Sequence, residues 1–325
     1  MFLAVDSLVL ALRALSFVAI FQAAGNALFV EAFRAGLSPV SEERIRTHAR
    51  IAAVAALCLA VLHYVLTPAR MAGSLGGTFD QSLDALLLES NAGSAHIVRV
   101  VGLALLVLSL DRASRLNSIA TVGGVALTIV SFALMGHTAI HPLRWALAPL
   151  LLVHVAVAAF WFGALWPLHR VVSLEPGHIA SAVVARFSWI ALRCVPLILV
   201  CGALLAVVMI RSVAELLTPY GAIVLGKTLA FGGLMWLAAL NKWRFAPRLA
   251  VGADAARSFK RTVVAEWVLL AGVLVATALL TALFAPEHLE GTFGPEHVRE
   301  PEHSAGAPRS EPLESPAPLR PVPVP

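Results

Sequence analysis

The sequence predicts an all-α, polytopic membrane helix bundle with about eight transmembrane helices and a disordered C-terminal tail. Three observations carry that prediction. Of the 325 residues, 59% are hydrophobic and only 13% charged. Soluble domains hold about 45–50% apolar and 25% charged residues, so the excess must face lipid. The apolar residues also fall in blocks long enough to span a bilayer, and a helical span needs about 20 of them. Finally, the blocks lack the ten-residue alternation of an outer-membrane barrel.

In chain order, the spans are expected at about 5–33, 48–68, 95–110, 118–136, 146–168, 187–210, 219–240 and 263–284. The first lacks a basic leader, since Asp6 and then Arg13 are its first charges, and is expected to be a retained span. Residues 1–140 are read as an N-terminal four-helix half and 141–285 as a second four-helix half. From 286 onward Pro, Glu, His and Ser dominate, too polar to offset chain entropy by burial.

Loop charges set the orientation. Arg34, Arg44, Arg46 and Arg50 follow span one, Arg112 and Arg115 follow span three, and Arg170 and Arg186 follow span five. Lys242, Arg244, Arg248, Arg257, Lys260 and Arg261 follow span seven. The opposite loops hold Arg70, Arg144 and Arg211 beside Asp80, Asp84 and Glu89. Basic loops stay cytoplasmic, so both termini are expected outside, in the periplasm of a Gram-negative cell. The net charge of +5 is spent on these loops, and no nucleic-acid partner is expected. The partner they imply is the bilayer. Cys58, Cys194 and Cys201 form no CxxC pair, hence no disulfide framework.

Most of the histidines fall toward the outer side. His63 ends span two, His96 opens span three, His137 closes span four, His141 lies in the next loop and His154 lies two turns into span five. Met135 is beside His137. A histidine within a span is expensive and marks a functional site by default. Neutral imidazole is a ligand for copper and zinc. Taken singly, each histidine also has a structural reading, as a hydrogen-bonded or interfacial residue. Together they point to a copper site at the outer mouth.

Cys194, Cys201 and Met209 recur along one face of span six, and soft sulfur suits Cu(I), although the same residues also serve as ordinary apolar packing. The tail repeats Pro-Glu-His at His288, His297 and His303, which suits weak metal binding or simple solvation. Lys227 and Glu266, with Arg13 and Arg99, are charges inside apolar spans. Each requires a partner or a gating role.

The ordered motifs Glu89-Ser90, Gly93, Arg99, Gly136-His137, His154, Trp161-Phe162-Gly163, Arg186-Phe187-Ser188, Cys201-Gly202, Tyr220-Gly221, Lys227, Asn241-Lys242, Pro247 and Glu266 resemble the copper resistance protein D (CopD) family. The resemblance covers about residues 5–285. The chain differs in having Leu151 where the family often has Asp, and Ala164 where it usually has a second Gly. The resemblance implies copper handling at the bacterial inner membrane, beside a small periplasmic copper-binding protein. The expected function is non-enzymatic copper transport, and with no GxxxxGK[ST] motif present ATP hydrolysis by this chain is not expected. Two rival readings are a b-type haem held by His63 and His154, and an assembly factor with structural histidines.

Overall fold

The computed structural model describes residues 2–136, 139, 141–209, 219–250 and 252–283. His137, Arg211 and the tail histidines His288, His297 and His303 lie outside the described residues. Residues 1–285 form one compact unit.

The order of helices is α1 Phe2–Phe33, α2 Pro39–Val65, α3 Thr67–Ala72, α4 Gln81–Glu89, α5 Asn91–Ser109, α6 Arg115–Ala133, α7 Arg144–Leu174, α8 Gly177–Met209, α9 Pro219–Leu240 and α10 Ala253–Leu283. A π-helical turn, Asn241–Phe245, continues α9. Among the described residues eight helices are long and apolar enough to cross a membrane. The start of α1 defines the upper end of the bundle.

Helix starts follow from local chemistry. Ser38 accepts from the Ser41 amide and Pro39 opens α2. Asp80 caps α4, Ser90 caps α5 and Ser114 caps α6, each through its side-chain oxygen. Such caps satisfy amides that have no partner within the helix. The Ser38 cap also explains why α2 begins at Pro39 rather than near 48, and α10 likewise begins early, at Ala253 rather than near 263. The apolar run marks where the chain enters lipid, whereas the helix continues into the basic loop.

α1 is the central helix. It packs on α2, α6, α7 and α10, so the two sequence halves share one core. Its crossing with α7 is backbone on backbone. A Cβ added to Gly25 would fall 1.9 Å from the Ala159 carbonyl oxygen, and one added to Gly163 would fall 2.4 Å from the Gly25 Cα. In lipid, where apolar surface gains nothing by meeting apolar surface, such close approach lets dispersion hold the helices together. Gly102 of α5 meets α6 in the same way, 2.7 Å from the Thr128 amide nitrogen.

Polar side chains lock this core. Gln22 donates to Asn26 at 3.0 Å and to the Gly163 carbonyl at 3.3 Å. The Trp267 indole donates to Gln22 at 2.7 Å, tying α10 to α1. At the lower end Glu175 accepts from the Ser38 amide at 2.9 Å and its hydroxyl at 2.6 Å, joining the end of α7 to the start of α2.

Candidate functional site

Four helices deliver polar side chains to one place near the upper end. His63 comes from the last turn of α2, and His96 and Arg99 from the first turns of α5. Arg13 comes from α1, and Met135 follows the end of α6. The charges acting on His63 are those of Arg13, Arg99, His96 and Arg70. The charge acting on His96 is that of Arg99. The His96 ring also stacks on Tyr64, with centroids 4.0 Å apart and planes 13° from parallel.

Arg99 is the hub of this cluster. Only 8% exposed, it donates from Nε to the Ser131 hydroxyl at 3.0 Å and from Nη2 to the Met135 sulfur at 3.7 Å. Its guanidinium lies 4.8 Å over the Phe132 ring. Arg13 donates to the Thr281 hydroxyl at 3.0 Å. These partners are all neutral. At the rim above, Asp6 pairs with Arg70 at 3.3 Å.

His154 is held elsewhere. Its Nδ1 lies 3.3 Å from the Ile198 carbonyl of α8. A carbonyl only accepts, so Nδ1 carries the proton and Nε2 keeps the lone pair a metal would use. Gly202 makes room for the ring, since a Cβ there would fall 3.1 Å from His154 Cε1. A backbone carbonyl thus orients the His154 ring. The charge facing His154 is Lys227 of α9. His63 and His154 therefore have different neighbours, and the geometry gives a bis-histidine haem between them no support.

The remaining sequence candidates divide similarly. His141 turns back on its own loop, accepting from the Leu143 amide at 3.0 Å. Cys201 is buried in α8 as a free thiol, adjacent in sequence to the Gly202 that cradles His154. Among the described residues no group of three or more His, Cys, Asp or Glu side chains is placed to hold a metal. The upper cluster thus offers two imidazoles and a thioether.

Glu266 belongs to a second region. It is 3% exposed and accepts from the Asn241 amide at 2.6 Å, with Trp161 as a further hydrogen-bond partner. Asn241 also accepts from Thr262. Together with Trp161, Phe187, Met235 and Lys242, Glu266 and Asn241 line a cavity of about 380 Å³. Sequence reasoning missed Asn241 as Glu266's partner and overlooked Gln22, Asn26 and Tyr64. The available signal was a lone amide or hydroxyl within an apolar run.

Two family models match the chain. "Copper resistance protein D-like, N-terminal domain" matches residues 4–143 and "Copper resistance protein D" matches residues 181–280. The copper transport protein CutJ of Bacillus subtilis (strain 168) is 29% identical over 263 residues, covering 76% of this chain and 48% of that protein. The inner membrane protein YebZ of Escherichia coli (strain K12) is 32% identical over 135 residues, covering 40% of this chain and 47% of that protein. The chain spans about half the length of these curated relatives. No solved structure matches it. The two models meet an eight-span bundle at the segments that build both polar clusters, and the chain belongs to the copper resistance protein D family.

Proposed function

We propose that this protein carries copper across the bacterial inner membrane, and that copper first meets His63, His96 and Met135. The observation that carries the reading is their convergence. Side chains from α2, α5 and the end of α6 gather around Arg99 at one end of the bundle. Imidazole and thioether are the donors that suit copper, the thioether favouring Cu(I). His137 follows Met135 by two residues in the sequence and is a natural further donor. His154, with Nε2 free, serves as the next ligand inward, beside Cys201.

The same cluster sets a limit on affinity. The guanidiniums of Arg13, Arg99 and Arg70 act on His63, and like charge opposes a bare cation. A transport site needs this balance, since an ion held too tightly does not leave. The charge of the lower loops supports a periplasmic upper end, with both termini outside. Copper then arrives from the periplasm, delivered by a small copper-binding protein and collected by the tail histidines. The protein performs no covalent chemistry on its cargo.

Copper uptake into proteoliposomes tests this reading. The double variant His63→Ala/His96→Ala is expected to slow uptake about tenfold, on the order of 1.4 kcal/mol of lost site stabilisation. Unchanged uptake by the correctly inserted double variant would overturn the assignment of the entry site.

A further inference from the structure

The upper cluster has too many donors and too few acceptors. Each guanidinium carries five N–H donors and accepts nothing. Arg99 donates to Ser131 and Met135. Arg13 donates to the hydroxyl and carbonyl oxygens of Thr281. Among the described residues Arg13 Nε is buried with no partner, and so is the hydroxyl of Tyr64, whose ring lies on His96.

Charge is unbalanced in the same direction. Arg13 lies 5.8 Å from the Phe17 ring centroid and Arg99 4.8 Å from that of Phe132, and these two rings meet edge-on at 5.2 Å, so the two like charges share one neighbourhood. Among the described residues no carboxylate lies within ion-pair distance of either. Asp6 is paired with Arg70, and the charge of Asp84 reaches Tyr64. Buried cations in lipid pair with counter-charges or line a pathway, because an uncompensated one is strongly disfavoured.

We infer that Arg13 and Arg99 form an oxyanion site inside the upper half of the bundle, taking a carboxylate or phosphate group between α1 and α5. The guanidinium fork matches both groups, offering two parallel hydrogen bonds to paired oxygens. An oxyanion supplies an acceptor for the unpartnered Arg13 Nε. It also cancels the charge that otherwise keeps a cation from His63 and His96. The site stands whether or not copper is the cargo, because its case rests on the surplus of donors alone.

Two sources present this chemistry, a soluble oxyanion and a phospholipid headgroup. The full-length protein in nanodiscs of neutral phosphatidylcholine is to be titrated with radiolabelled inorganic phosphate. Saturable binding to wild type is expected, weakened at least about tenfold in Arg99→Gln and in Arg13→Gln. Arg34→Gln, at an exposed arginine of the lower end, should bind as wild type does. If the headgroup is the occupant, phosphate binding is absent and native mass spectrometry finds phosphatidylglycerol retained by wild type and lost from Arg99→Gln. Either pattern supports the site. Arg99→Lys keeps the charge without the fork, so intermediate retention of whichever ligand binds is expected from it, and it decides the matter if the glutamine variants do not insert. Retention of phosphate or lipid that is absent throughout, or equal in wild type and the Arg99 variants, overturns the inference. Copper uptake plays no part in the readout, so failure here and failure of the transport reading are separate results.

Discussion

Arg99 and Glu266 are both almost wholly buried, at 8% and 3% exposure, yet they are housed differently. Glu266 is provided for by the fold, since Asn241 and Trp161 bring N–H groups to its carboxyl and Thr262 in turn holds Asn241. Arg99 has a hydroxyl, a sulfur and an aromatic face, with a second guanidinium acting on it. One buried charge closes a network, while the other leaves one open. The difference teaches where to look for a ligand. Burial alone marks both residues, but only the count of donors against acceptors separates a structural charge from one that awaits a partner.

The contrast breaks most visibly at Glu266. Glu266→Ala leaves the Asn241 and Trp161 donors facing an apolar cavity, and a stability loss on the order of 3 kcal/mol is expected. Unfolding in a denaturing-detergent titration measures it. Glu266→Gln keeps one acceptor and should lose about 1 kcal/mol. If Glu266→Ala is as stable as wild type, the network is not structural and the comparison collapses.

Arg99→Gln should behave in the opposite sense. In buffer without oxyanions and in neutral lipid it removes a charge without a counter-charge. Its stability is expected within about 1 kcal/mol of wild type, or above it. A loss as large as that of Glu266→Ala would show that Ser131 and Met135 already satisfy the guanidinium.

The smallest effect sharpens the comparison outside the membrane. Burial raises the Glu175 pKa, but hydrogen bonds from the Ser38 hydroxyl, Ser41 and the Ser38 amide outweigh it and leave the carboxyl below its usual 4.5. A depressed pKa stabilises the fold above 4.5 and loses that contribution as pH falls through the lower folded value. Glu175→Gln should therefore cost about 1 kcal/mol at neutral pH and flatten the acid limb of the stability profile below 4.5.

The eight spans were legible because lipid imposes length and apolarity on every one of them. The short helices α3 and α4, six and nine residues long, were not, because neither carries an apolar run of spanning length. Half of the candidate site could be read in the same way. Histidines at the same end of successive spans follow from span order. Which of them meet does not, because it depends on how helices rotate and cross. His63 meets His96 because α2 packs against α5, whereas His154 turns toward α8 where Gly202 leaves space. The oxyanion reading was hidden for the same reason. Arg13 and Arg99 are 86 positions apart in sequence, and their shared neighbourhood exists only once α1 and α5 are assembled.

Gln22 sets a timetable for biogenesis. Its partner carbonyl at Gly163 is made 141 residues later, and the indole of Trp267 245 residues later. At roughly 5–20 residues per second, α1 waits about 12–50 s after entering the bilayer before its last hydrogen bond can form. Until then the Gln22 amide oxygen lacks its indole donor, so a ribosome that stalls before α10 leaves a first helix held by Asn26 and Gly163 but not yet tied to the last span.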